Sequence, residues 1–259
     1  MSGLTVSIRD ASLESASMNF ASFANSPPNL HSWDQGKTWN TGGFSPYHLE
    51  SIYKFCRQRL PAGPRVIETG AGNSTICFLH LEPTQVISIA PDKALFDRIT
   101  AYCKSNGISL QPLAMHIDGS EWVLPKLATD SRNGQLDFAL IDGCHNWPMV
   151  MVDFFYVNSL LRKGGYLMLD DIQLHSVAEL YRLISYETDT FRPAANWGKL
   201  RIFEKLTSES KFGEWNTQTY ITALSGVHTG PLVHRLIKAI VSAKNMKQRW
   251  LESIISRTK

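Results

Sequence analysis

Two rhythms of apolar residues alternate between residues 45 and 206. Ser45-Pro46 reads as an N-cap followed by proline at the first helical position. The helix it predicts turns Leu49, Ile52, Tyr53 and Cys56 inward at i, i+3, i+4 and i+7 and stops near Leu60-Pro61. Val66 and Ile67 then begin a run of strand type that ends at Glu68. Gly70 and Gly72 follow, and Asn73-Ser74-Thr75 open a helix carrying Ile76, Phe78, Leu79 and Leu81. The pattern repeats. Strands are predicted at Gln85–Ile89, Leu110–Ile117, Leu136–Ile141 and Tyr166–Leu169, and helices at Ala94–Asn106, Trp122–Leu127, Pro148–Leu161 and His175–Tyr186. Leu95, Phe96, Ile99 and Tyr102 share one helical face; Val152, Phe155, Leu160 and Leu161 are assigned to the inner face of a later one. Phe191–Ala195 and Leu200–Leu206, joined by a turn at Gly198, predict an antiparallel pair at a sheet edge. Strands alternating with helices argue an α/β fold whose mostly parallel sheet is covered on both faces.

The flanks differ in character. Residues 1–44 are rich in Ser, Asn and Pro yet hold Phe20, Phe23, Trp33 and Trp39, which must cover something. They either extend the core or form a lid over a pocket. Deletion of residues 1–40 separates the two, because a lid can be removed without unfolding the domain. Beyond residue 207 the chain is first polar. From Pro231 to Arg257 it then carries helically spaced apolar residues with Arg235, Lys238, Lys244, Lys247 and Arg249, a basic helix that could lie on an acidic membrane surface and by default packs on its own domain or on a twin subunit. The expected organisation is an N-terminal extension over 1–44, a core domain over 45–206 and a basic helical extension over 207–259.

Composition narrows the class. Of 259 residues, 43% are hydrophobic and 19% charged, an ordinary globular balance. A formal net charge of +3 is too small to imply nucleic acid. No apolar run reaches the ~18 residues of a membrane-spanning helix. The opening, M-S-G-L-T-V-S-I-R-D, shows no secretory pattern, so a cytoplasmic protein is expected. Cys56, Cys77, Cys103 and Cys144 show no metal-ligand spacing, and buried thiols in a reducing compartment are expected.

The chemistry collects at the strand ends. Glu68, Asp118, Ser120, Asp142, His145, Asp170 and Asp171 all fall at the C-terminal ends of predicted strands, the edge where open α/β sheets bind ligands. So many carboxylates repel one another unless a cation or polar ligand lies between them. The glycine turn lacks the third glycine of the dinucleotide fingerprint.

E-T-G-A-G-N-S-T resembles the first motif of class I S-adenosylmethionine-dependent methyltransferases. D-F-A-L-I-D-G-C-H and L-L-R-K-G-G-Y-L-M-L-D-D-I resemble their fourth and fifth strands. The I-D-G-x-H and L-D-D-I pair is most similar to the small-molecule O-methyltransferases related to the catechol and macrolide-sugar types. The resemblance covers residues 45–206. It implies a Rossmann-like sheet with an antiparallel edge strand and S-adenosylmethionine as cofactor. It further implies that Glu68, Gly70 and Gly72 contact the methionine part, with Ser74 beside them. Asp118, Gly119, Ser120 and Glu121 border the adenine, and Asp142 lies under the amino group. Trp122 is assigned to the core. The acid that grips the ribose in this family is missing, since its position falls on Ser88 or Ala90; either Asp92 reaches back or a water serves instead, or the cofactor is held more weakly or is a different nucleoside.

The resemblance also implies two sources of catalysis. Asp142, Asp170 and Asp171 match a three-ligand magnesium site, whose cation would bind the acceptor oxygens. Alternatively one aspartate only caps the next helix. His145, three residues after Asp142, matches a base position, and a histidine side chain can accept a hydroxyl proton at neutral pH. His31, His48, His116 and His175 have weaker cases. The expected reaction is methyl transfer to a small-molecule hydroxyl, with no nucleic-acid partner and a possible homo-oligomer. A dinucleotide-dependent oxidoreductase and a catalytically silent nucleoside-binding module are the rival readings.

Overall fold

A computed structural model describes residues 20–31, 43–130, 135–209 and 214–225. The described part of the first helix, α1, covers residues 20–25. Helix α2 (Pro46–Arg59) starts as its sequence predicts, with Ser45 accepting from the amide of His48. There follow β1 (Arg65–Thr69), α3 (Asn73–Leu79), β2 (Gln85–Ile89), α4 (Lys93–Ser105), β3 (Leu113–His116), α5 (Ser120–Thr129) and β4 (Leu136–Ile141). Then come α6 (Met149–Leu160), β5 (Leu161–Leu169), α7 (His175–Tyr186), β6 (Phe191–Trp197), β7 (Leu200–Lys205) and α8 (Thr219–Ser225).

The seven strands form one sheet in the order β3-β2-β1-β4-β5-β7-β6. β1 to β5 run parallel, and β7 pairs antiparallel with both β5 and β6. The chain moves outward from β1 to β3 and returns to β4 beside β1, which opens a crevice between the C-terminal ends of β1 and β4. Alternate side chains of the strands feed two cores. Val66, Val86, Phe138, Leu140 and Met168 pack under α2, α3 and α4. Ile67, Ile87, Ala139, Ile141 and Leu167 pack under α5, α6 and α7.

Several side chains depart from the sequence reading. On α6 the inner face is Val150, Asp153, Phe154 and Val157, while Phe155 is exposed and Val152 only half-buried. Asp153 and Asn158 are both buried, so polarity misled the helical phase. Trp122 is 63% exposed and is not a core residue. Of the four cysteines, Cys56, Cys77 and Cys103 are buried and Cys144 is exposed.

The N-terminal aromatics divide. Phe20 and Phe23 are buried in the α2–α4 core, with the Phe20 ring stacked on Tyr53 at 3.7 Å and Phe23 beside His80 and Tyr102. Trp33, Trp39 and the basic stretch Pro231–Arg257 lie outside the described residues.

Candidate active site

The glycine turn sits at the crevice because strand register puts it there. Glu68 and Thr69 of β1 lie level with Leu140 and Ile141 of β4, so Gly70 emerges beside Asp142. Gly70 has φ +92°, and a β-carbon on it would overlap the carbonyl oxygen of Asp142. Only glycine fits this close crossing. The Gly70 amide donates to Ile89 O at 2.9 Å and the Asp142 amide to Thr69 O at 3.0 Å, which ties the ends of β1, β2 and β4 together.

Glu68 is fully buried below the turn. Its carboxylate accepts hydroxyl hydrogen bonds from Ser74 (2.6 Å), Thr75 (2.5 Å) and Ser88 (2.6 Å). Burial pushes its pKa up to about 7, against the opposing pull of those three hydroxyls. Thr75 Oγ1 in turn accepts from the Gly72 amide at 3.0 Å. Glu68 and Ser74 therefore shape the turn from behind, and both are buried away from the open edge.

The corner where a ribose acid was sought is filled differently. Ser88 spends its hydroxyl on Glu68, and Ala90 is buried. Asp92 caps α4 by accepting from the Leu95 amide at 3.1 Å and pairs with Arg98 at 3.3 Å. Arg98 also donates through Nε to Leu30 O at 2.5 Å, anchoring the N-terminal segment. That segment brings His31 against the turn, where a β-carbon on Gly72 would meet His31 Nε2 at 2.7 Å. Burial, and then Arg98, lower the His31 pKa, so the ring is neutral at pH 7.

Across the crevice Asp118 accepts from the Gly119 amide at 2.8 Å and is exposed. Ser120 is buried at the first turn of α5, with Glu121 following and Trp122 exposed. Asp153 of α6 lies behind them, fully buried, its pKa raised to about 6 by burial.

The acidic cluster also follows from register. Ile141 of β4 pairs with Leu169 of β5, so Asp142 and Asp170 leave adjacent strands side by side. Leu169 pairs antiparallel with Arg201 of β7, so Asp171 comes opposite Lys199. The Lys199 ammonium donates to Asp170 Oδ2 at 2.8 Å and Asp171 Oδ1 at 3.0 Å. It also lies 5.3 Å from the centroid of the buried Phe44 ring. Burial and the neighbouring Asp170 raise the Asp142 pKa well above the usual carboxylate range. The net shift on Asp171 is downward, since bonds from Gln173 and Lys199 outweigh its burial.

This arrangement corrects the expected magnesium site. Two of its three carboxylates already hold a cation that belongs to the chain. Among the described residues no group of three His, Cys, Asp or Glu side chains is arranged to hold an ion. The residues present do not fit a divalent metal.

His145 stands beside the cluster, with Nε2 3.9 Å from Asp142 Oδ1 and Nδ1 4.0 Å from Asp171 Oδ2. Its Nε2 is buried without a hydrogen-bond partner among the described residues. Its carbonyl accepts from the Ser176 hydroxyl at the start of α7, which fixes the loop. His175 itself is exposed. Trp147, two residues further on, is exposed, and His48 at the start of α2, with exposed Tyr47 beside it, lies within range of the Lys199 charge. The sequence reading missed Lys199 and Trp147. A basic residue facing an aspartate pair was the available signal for the first, but it becomes visible only once the β5–β7 register is known.

Residues 67–172 match the model of a family described as a methyltransferase domain. No curated protein sequence matches the chain. Among solved structures, the chain is similar to the O-methyltransferase TomG of Streptomyces achromogenes, involved in tomaymycin synthesis and solved with S-adenosylmethionine. The two share 16% identity over 78% of this chain and 96% of that one, with a TM-score of 0.55. A methyltransferase from Geobacter sulfurreducens gives 16% identity, 65% and 82% coverage and a TM-score of 0.53.

Proposed function

We propose that this chain, which carries a class I S-adenosylmethionine-dependent methyltransferase domain, methylates a hydroxyl group of a small molecule with His145 as the base. The observation that carries the reading is the buried, unpartnered Nε2 of His145, held beside Asp142 at the crevice that the glycine turn opens. A neutral imidazole nitrogen kept from other partners can take a hydroxyl proton.

The cofactor fits the residues of the crevice. The crossing of Gly70 and Asp142 leaves backbone, not side chain, at the turn. Asp142, Asp118 and Glu121 line the edge that would receive a cationic sulfonium and ammonium, with Gly119 and Ser120 between the last two. Asp92 and His31 stand at the corner for the ribose. When bound, the cofactor supplies an electrophilic methyl group on sulfur. The protein's part is to bring an acceptor oxygen into line, which accounts for most of the rate in reactions of this type. His145 accepts the hydroxyl proton as the oxygen becomes nucleophilic, and Asp171, whose carboxyl is held ionised, favours the imidazolium that results. Phe44, Tyr47 and Trp147 are the aromatic material for an acceptor pocket that excludes water.

The catalytic unit is taken as residues 45–206, with 1–44 and 207–259 as extensions and a twin subunit as the partner for the basic C-terminal stretch. Three buried thiols favour a reducing, cytoplasmic setting. No helix among the described residues is long and apolar enough to cross a membrane.

Calorimetric titration with S-adenosylhomocysteine tests the cofactor half, and release of S-adenosylhomocysteine over a panel of phenols and sugar alcohols tests the acceptor half. A saturating titration that gives no heat and no thermal shift would remove the methyltransferase reading.

A further inference from the structure

The site has a cation of its own. Three aspartates converge at the ends of β4 and β5, and carboxylates this close are tolerated only with compensating positive charge or a retained proton. Lys199 supplies it, and the fold is built to hold it there. Gly198, with φ +60°, makes the tight β6–β7 turn from which Lys199 rises. The main chain locks the turn to the cluster, because the Ile172 amide donates to Lys199 O at 3.2 Å. Asp171 adopts φ +56°, a left-handed conformation uncommon for a residue with a side chain. Its Oδ1 accepts from both Lys199 and Gln173, the latter at 2.9 Å. Asp170, with a side chain only 3% exposed, is paired to the same ammonium. Phe44 covers the ammonium from the α2 side.

The ammonium bridges two of the three carboxylates on which a divalent ion would depend. A metal entering this cluster must displace a hydrogen-bonded lysine from both. Once displaced, that lysine would still stand within charge range of the metal and oppose its binding.

We propose that Lys199 is the resident cation of this active site, taking the place of a divalent metal, so that the cluster binds no metal while the lysine is present and becomes a divalent-cation site when the lysine charge is removed. The inference rests on the proposed methyltransferase site but concerns only the charge balance of the cluster. Lysine has a third N–H beyond the two spent on Asp170 and Asp171. That third N–H can donate to an acceptor oxygen as negative charge grows on it.

The test uses the full chain and Mn2+ alone, followed by electron paramagnetic resonance and calorimetry, on the wild type, Lys199→Met and Lys199→Arg. The wild type and Lys199→Arg should show no saturable Mn2+ binding up to about millimolar concentration. Lys199→Met should bind at least ~10-fold more tightly, and Lys199→Met/Asp170→Asn should lose that gain. Saturable Mn2+ binding by the wild type that Asp170→Asn removes would overturn the proposal. So would equal, weak binding by wild type and folded Lys199→Met. If Lys199→Met does not fold, Lys199→Gln, which keeps a polar head without the charge, takes its place with the same outcomes, and tight binding by the wild type or Lys199→Arg still overturns the proposal. The thermal shift with S-adenosylhomocysteine, measured on the same samples with and without chelator, reports separately on the methyltransferase reading.

Discussion

His31 lies against Gly72, so close that a β-carbon on the glycine would meet its Nε2 at 2.7 Å. The N-terminal segment thus reaches the turn proposed to hold the cofactor, at the corner where β2 ends without an acid. A neutral imidazole beside Asp92 and Arg98 can hydrogen-bond a ribose hydroxyl. His31→Ala should weaken S-adenosylhomocysteine binding by about 10-fold, the worth of roughly one hydrogen bond, with little change in affinity for methionine, which carries no ribose. Calorimetry with S-adenosylhomocysteine and with methionine reads the difference. Unchanged or tighter binding would show that His31 only packs.

Gly70 is predicted to be the least replaceable residue of the turn. Gly70→Ala adds a methyl group into the Asp142 carbonyl and asks alanine for φ +92°. A cost of about 1–3 kcal/mol is expected from the backbone alone, or a fall of roughly 2–12 °C in Tm. The thermal shift with S-adenosylhomocysteine should vanish as well. Scanning calorimetry with and without ligand measures both. A variant that keeps its Tm and its ligand shift would contradict the role given to the crossing.

Glu68 predicts a pH dependence. Its pKa is about 7 in the folded chain against 4.5 unfolded. Between these values the folded state binds more protons than the unfolded one. Its contribution is therefore full below pH 4.5 and is lost as pH rises through 7. The stability of the wild type relative to Glu68→Gln should fall by about 3 kcal/mol from pH 4.5 to pH 8. Urea denaturation across that range follows it. A difference that does not vary with pH would mean that Glu68 is charged throughout, stabilised by its three hydroxyl donors.

His145 is predicted to act in turnover and not in cofactor binding. His145→Ala should lower kcat by about 10²- to 10⁴-fold while the Kd for S-adenosylhomocysteine stays within roughly 2-fold. If affinity and turnover fall together, His145 shapes the cofactor site and the base must be sought elsewhere.

The fold was legible because its signals are local. All seven strands and α2 to α7 follow from apolar periodicity and from glycine and proline punctuation. Ser45-Pro46, the Gly70 turn and the strand-end carboxylates fall where expected. What escaped depends on register or on burial. Lys199 meets Asp171 only through the antiparallel pairing of β5 with β7. The position of Glu68 at a strand end was readable, while the three hydroxyls that hold its carboxylate come from two other elements and were not. Buried Asp153 shifted the predicted phase of α6, because a carboxylate at an inner position breaks the pattern that periodicity depends on.

The N-terminal aromatics carry the last prediction. Phe20 is buried, stacked on Tyr53 and edge-on to His80, and Phe23 closes the same cluster. Both contribute to the core under α2–α4, so the extension cannot be a detachable lid over its whole length. Phe20→Ala should cost about 3–5 kcal/mol, the usual range for emptying an aromatic site in a core. Deletion of residues 1–31 should then unfold the domain or leave it with a Tm lower by 10 °C or more, on the order of that loss and the others it adds. Deletion of residues 1–19 leaves Phe20 in place and tests whether the outer part is dispensable. Urea denaturation of Phe20→Ala and circular dichroism of the two truncations decide the matter. A stable, cofactor-binding chain lacking residues 1–31 would restore the lid reading and remove Phe20 and Phe23 from the core.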